Sequence, residues 1–300
     1  MRFDVCRLPL LAVSLAVPAV ADPFTFGTGN PDGKMATATR PNTAGKFEIE
    51  TETGDDFVLT TKTEINSATF TGLLSGGSTV GEVRVEIYSV FPKDSDITRT
   101  NGPPTFSTNQ VPTRVNSPSD VEFDDRDTAS GNLTFSTTDL GGFTASNSVQ
   151  PRGIHPKPGQ TTGGDGFITG EETQFTVTFT TPFDLPADHY FFVPQVEITQ
   201  PDGNFFLLSA PKPVVAPGTP FPAGFTDLQA WTRDEFLAPD WLRVGIDIVG
   251  GSPATTFNMT FSLNGETIAE PSSYVLLGSA LLAIARIGRK KFAARQTFRA

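Results

Sequence analysis

Between Gln174 and Thr181 the chain reads QFTVTFTT, which sets Phe175, Val177 and Phe179 on one side of an extended backbone and Thr176, Thr178 and Thr180 on the other. A period of two cannot lay an apolar stripe along a helix; it fits a strand with one face buried. Segments of the same kind recur at 47–52, 56–61, 65–74, 81–90, 133–137, 189–198, 205–209, 242–249 and 256–263, bounded by Gly, Pro, Asn or Asp. Helical signals are nearly confined to one place, where Thr226 and Gln229 have capping-box spacing and predict a short helix through Phe236. With 28 Gly and 25 Pro to supply turns, the expected fold is all-β: an antiparallel β-sandwich, jelly-roll-like, with long Pro/Gly-rich loops.

Three polar, Pro-rich stretches, 91–122, 150–165 and 210–224, have the composition of linkers or of long ordered loops. The strands expected before Phe91 are too few to close a core of their own, so residues 22–268 are read as a single domain. No repeat with a period of 20 to 50 residues is present, which argues against solenoids and propellers.

Both ends carry addressing features. Arg2 and Arg7 flank the start of an apolar run, Leu8 to Val20, and Ala19-Val20-Ala21 has the small-x-small pattern of a signal-peptidase site, so residues 1–21 are read as a signal peptide. Cys6, the only cysteine, precedes the apolar core, where it cannot serve as a lipid-attachment site. The mature chain is therefore expected to rely on packing alone, without disulfides or thiolate ligands. At the other end, Ala269-Glu270-Pro271-Ser272-Ser273 leads into Tyr274 to Ala285 (YVLLGSALLAIA). Twelve residues make about 18 Å of helix, short of a bilayer core of about 30 Å, and the span closes once Arg286 and Arg289 snorkel and the segment extends toward Phe292. Arg286, Arg289, Lys290, Lys291, Arg295 and Arg299 follow with no acidic residue among them, which assigns this end to the cytoplasmic side and the body to the outside.

This layout resembles the PEP-CTERM sorting signal, in which a tripeptide, a short hydrophobic helix and a basic cluster follow one another. The tripeptide here reads Ala269-Glu270-Pro271 where the family has Pro-Glu-Pro. What the resemblance implies is a sorting motif at Glu270, Pro271 and Ser272, read by an exosortase-type membrane enzyme. It also implies transient anchoring through the C-terminal helix, and a final place at the cell surface or in the matrix, in contact with exopolysaccharide.

The formal net charge is −11, and without Arg2, Arg7, the six basic tail residues and Asp4 it falls to about −18. Such a surface repels phosphate backbones, and no basic patch interleaved with aromatics offsets it, so nucleic acid is excluded as a partner. Cations and neutral glycans remain open.

Candidate chemistry is sparse. Asp120, Glu122, Asp124, Asp125 and Asp127 lie within eight residues and offer the hard oxygen ligands of a calcium site, with a solvated acidic loop as the alternative. Apart from that possible structural calcium, no cofactor is implied. Thr161–Glu172 has the glycine and closing Glu of an EF-hand loop, but its first and third carboxylates are missing. His155 and His189 are the only histidines, and neither sits in a nucleophile elbow, zinc helix or phosphate loop. Trp231, Trp241 and Tyr190 could stack on sugar rings, as carbohydrate-binding sandwiches do. The competing role is core packing, toward which 26 Phe against two Trp and three Tyr already leans. Three threonines on one strand are too few for an ice-binding array, which needs a flat repeat. The expectation is thus a non-catalytic surface or matrix protein. A carbohydrate-binding module built on the tryptophans is the alternative, and a secreted glycan hydrolase, whose paired carboxylates would have to meet in space, is the third reading.

Overall fold

The alternation at Gln174 belongs to a longer strand that runs from Ile168 to Leu185. In a computed structural model, residues 21–42, 49–74, 78–99, 111, 114–154, 161–200, 203–211, 221, 224 and 226–268 are described. Residues 1–20, His155 and the tail with Glu270, Pro271, Ser272, Arg286, Arg289, Lys290 and Lys291 lie outside them. Asp22–Ile268 is one unit.

In chain order the strands are β1 (Pro23–Gly27), β2 (Met35–Ala38), β3 (Thr51–Leu59), β4 (Thr63–Leu74), β5 (Val80–Val90), β6 (Pro118–Asp127), β7 (Leu133–Ala145), β8 (Asn147–Val149), β9 (Ile168–Leu185), β10 (Asp188–Ile198), β11 (Phe205–Ala210), β12 (Trp231–Asp234), β13 (Leu242–Arg243), β14 (Asn258–Met259) and β15 (Phe261–Thr267). They make an all-β fold of two sheets. The first runs β1-β15-β4-β11-β2-β8, with β9 on the opposite edge of β4, β7 beyond β9, and β14 beside β11. The second runs β13-β12-β3-β10-β5-β6. Pairing is antiparallel throughout except between β2 and β8. β1 and β15 pair so that Pro23 faces Glu266, and just beyond them Thr267 donates its N–H to the Asp22 carbonyl at 2.8 Å.

One apolar cluster draws on both sheets. Its centre is a column of phenylalanines. Phe175 lies parallel to Phe70 at 5.0 Å, and Phe205 meets both edge-on at 5.3 and 5.9 Å. From the second sheet, Phe192 stacks on Phe261 at 5.0 Å and reaches Phe70 at 6.3 Å. Phe57 continues the column to Tyr190 at 5.7 Å. Phenylalanine suits this place because a ring without a hydroxyl or indole N–H brings no donor that must be satisfied in the dry interior.

Three local expectations are corrected. The short helix from Thr226 to Phe236 does not form: Gln229 sits at φ 71°, outside helical space, and Trp231–Asp234 is strand β12. Asp227 accepts the Gln229 N–H at 3.1 Å and so makes a turn where a capping box was read. The strand expected over 242–249 stops at Arg243, and Val244–Val249 coils into a π-helical turn. A β-carbon at Gly245 would collide with the Thr255 carbonyl, so that turn depends on the glycine. The polar stretch 91–122 ends in β6, whose acidic side chains disguise a strand.

Replacing Phe192, which is buried at the meeting of the two sheets, by alanine is expected to cost about 3–5 kcal/mol of unfolding free energy. Phe236→Ala, at a side chain 72% exposed, should stay within about 0.5 kcal/mol. Urea unfolding followed by tryptophan fluorescence measures both.

Candidate functional site

Because side chains alternate along a strand, the face of β4 and β9 opposite the phenylalanine column carries Ser67, Thr69, Thr71, Gln174, Thr176 and Thr178. Strand register then aligns these with polar neighbours. Thr69 faces Thr176 of β9 and Ser262 of β15; Thr176 in turn faces Ser136 of β7, and Ser262 faces Gly27 of β1. A second row reads Thr25, Asn264, Ser67, Thr178 and Thr134. A third contains Thr71, Gln174 and Thr138. Rows of this kind repeat about every 4.8 Å across the strands and about 6.8 Å along them. The Thr69 and Ser262 hydroxyls lie 2.6 Å apart and share a hydrogen bond.

At the β1–β15–β4 side the face deepens into a groove of about 430 Å³, lined among others by Thr25, Asn30, Thr69, Gln174, Ser262 and Asn264. Gly27 carries no side chain and leaves space beside Ser262; Phe26, Phe70 and Phe261 line the groove through their backbone, their rings being buried on the other face of the sheet. None of the lining residues is charged, on a chain whose formal net charge is −11. Chemically the groove offers hydroxyl and amide groups that both donate and accept, and no general acid or base.

The aromatic residues proposed from sequence lie elsewhere. Trp231, Trp241 and Tyr190 are 0%, 2% and 1% exposed, so none presents a ring to solvent and the sugar-platform expectation is corrected. Trp231 is held because β12 lies between β13 and β3; its indole N–H donates to the Leu228 carbonyl at 3.1 Å. Trp241 donates to the Ser119 carbonyl at 3.0 Å. Arginines cover both rings, Arg243 over Trp231 at 4.9 Å and Arg233 over Trp241 at 4.3 Å. Tyr190 stacks on Phe57 and donates its hydroxyl to the Pro186 carbonyl at 3.1 Å.

Arg233 belongs to a buried network. It forms an ion pair with both Glu52 oxygens, and the Tyr88 hydroxyl donates to Glu52 at 2.7 Å and to Glu86 at 3.1 Å. Burial and then the Glu52 charge push the Glu86 carboxyl well above its usual range, whereas Arg233, against its burial, keeps Glu52 low.

The acidic run also resolves differently from the calcium expectation. On β6 its side chains diverge. Asp120 accepts from Arg114 and, at 2.9 Å, from Arg99; Asp124 accepts from Arg126 at 2.6 Å; Asp127 accepts from Ser130 at 2.8 Å; Asp125 lies opposite Glu86 on β5. Arginines of the protein itself pair with Asp120 and Asp124, and no group of three His, Cys, Asp or Glu among the described residues is gathered to hold a metal. Among those residues, too, no helix is long and apolar enough to cross a membrane. His189 Nε2 lies 2.5 Å from Asp56 Oδ2, and burial pushes its imidazole down to about 4 against the opposing charges of Asp188 and Asp227.

The hydroxyl rows were half visible in sequence. Thr176, Thr178 and Thr180 alternate in plain view, but that Ser67, Thr69, Ser262, Asn264, Thr134 and Ser136 line up beside them depends on a register between segments far apart in the chain. The chain matches no protein-family model, and no curated protein or solved structure is significantly similar to it.

Arg233→Ala leaves Glu52 buried without its cation and is expected to cost about 3–5 kcal/mol. The double change Glu52→Met with Arg233→Met should recover most of that loss, since it removes charge and counter-charge together. Chemical denaturation of the three proteins checks the ordering.

Proposed function

We propose that this is an exported, non-catalytic protein of the cell surface or extracellular matrix, whose body holds a neutral polysaccharide on the hydroxyl-bearing face of its first sheet. The observation that carries the reading is the uncharged lining of that groove in an otherwise acidic protein. A neutral glycan presents hydroxyls that donate and accept in turn, and the rows of Thr, Ser, Asn and Gln answer in kind without a charge to desolvate. Two sheets sharing one aromatic core support a β-sandwich body, of jelly-roll type in this reading. Export rests on the leader read in residues 1–21, and retention on the PEP-CTERM-like tail from Ala269, whose Glu270-Pro271 would be read by an exosortase-type enzyme. The polymer that such a tail brings within reach is the producing cell's own exopolysaccharide.

The test is affinity electrophoresis of the protein through gels holding neutral or uronic-acid polysaccharides. Retardation by a neutral polymer is expected. The pair Thr69→Val with Thr176→Val removes two hydroxyls with little change of shape and should weaken it about tenfold, at about 0.5–1.5 kcal/mol per hydrogen bond. Equal mobility in every gel, or binding that the valine pair leaves intact, sinks the assignment to this face.

A further inference from the structure

Asp227–Ala230, the approach to β12, crosses the end of β3 beside Asn258–Met259. Four hydrogen bonds fix the crossing: Leu228 N–H to Asp56 Oδ1 at 3.0 Å, Ala230 N–H to the Phe257 carbonyl at 2.8 Å, Asn258 Nδ2 to Asp227 Oδ2 at 2.8 Å, and Met259 N–H to Asp55 Oδ2 at 2.8 Å. Gln229 Nε2 adds a bond to Asp227 Oδ1 at 2.6 Å. With both amide nitrogens turned to Asp227, both amide oxygens are left without a donor. Asp55 Oδ1, Gln229 Oε1 and Asn258 Oδ1 are all buried and unpartnered, half of such side-chain atoms among the described residues. Asp55 and Asn258 are 1% and 2% exposed, so bulk water does not reach them.

Two other buried acids in this protein are answered by guanidinium groups, Glu52 by Arg233 and Asp120 by Arg114. Asp55 is answered by backbone N–H groups, that of Met259 among them. Three buried acceptor oxygens therefore sit at the crossing without a donor. A cation, which has no lone pairs of its own, would answer all three.

We propose that Asp55, Asp227, Gln229 and Asn258 form a calcium site that pins the Asp227–Ala230 crossing to β3. Carboxylate and amide oxygens are the hard donors calcium takes, and its tolerance of irregular geometry suits a set drawn from three separate stretches of chain, where magnesium would demand an octahedron. The site is distinct from the glycan face and does not rest on it.

The test uses the whole protein, stripped with EGTA and melted with and without 1 mM calcium. A rise of about 5 °C with calcium and little with magnesium is expected. Asp55→Asn and Asp227→Asn should each abolish the rise, and Asp124→Asn on β6 should keep it. Should both site variants fail to fold, terbium supplies a reading on the unaltered chain. Trp231, bonded to Leu228 between two of the ligands, should sensitise terbium emission, and calcium should quench that emission by displacement. An unchanged melt with no sensitised emission overturns the proposal and leaves the three oxygens to buried water. So does a calcium response that survives Asp55→Asn and Asp227→Asn, or that only Asp124→Asn removes.

Discussion

The contact on which this architecture turns is the stacking of Phe192 on Phe261, where a ring from the second sheet lies on a ring from the first at 5.0 Å. Through Phe70, also within reach of Phe192, it joins the Phe175–Phe205 group, and through Phe57 it joins Tyr190. A chain without disulfides must obtain its cohesion from such contact, and burying aromatic rings removes more apolar surface per residue than any aliphatic choice. Because the column fixes which residues of β4, β9 and β15 face inward, it also fixes which face outward. The hydroxyl rows are the reverse side of the phenylalanine column, strand by strand.

The second organising feature is electrostatic. An acidic chain has few cations with which to satisfy buried carboxylates, and the guanidinium groups are concentrated where β12, β3 and β6 meet. Arg233 is pinned between Glu52, the Tyr88 hydroxyl and the Trp241 ring, and Arg114 lies over Phe91 while it pairs with Asp120. Breaking one member would cost more than the pair contributes, because a charge would be left in the dry interior. Asp55 differs from these pairs: backbone N–H groups answer it, and one of its carboxylate oxygens is buried without a partner.

Period-two alternation marked most strands because it follows from burying one face, a constraint each strand meets locally. It failed where local chemistry spoke for something else. β6 carries alternating acids whose partners are arginines brought by other segments, so PSDVEFDDRD reads as a loop until Arg99, Arg114 and Arg126 are in place. Thr226 and Gln229 have the letters of a capping box, yet Asp227 competes for the Gln229 N–H and wins. The tryptophans looked like recognition residues because aromatic side chains serve both roles, and only the strands on either side of β12 decide between them. The groove was the least legible part, since hydroxyls on β1, β15, β4, β9 and β7 become one surface only once register is known.

The pairing of β1 with β15 joins Asp22 to Thr267 across 245 residues of chain. β1 can therefore do nothing but wait: its only ladder partner is made after every other strand of the unit. Closing so large a loop carries an entropic cost that no local contact offsets in advance, which puts this step late on the folding path. Until β15 docks, the edge of β4 that it covers is open and the groove lacks one wall, so the groove is complete only once the two ends of the body are joined.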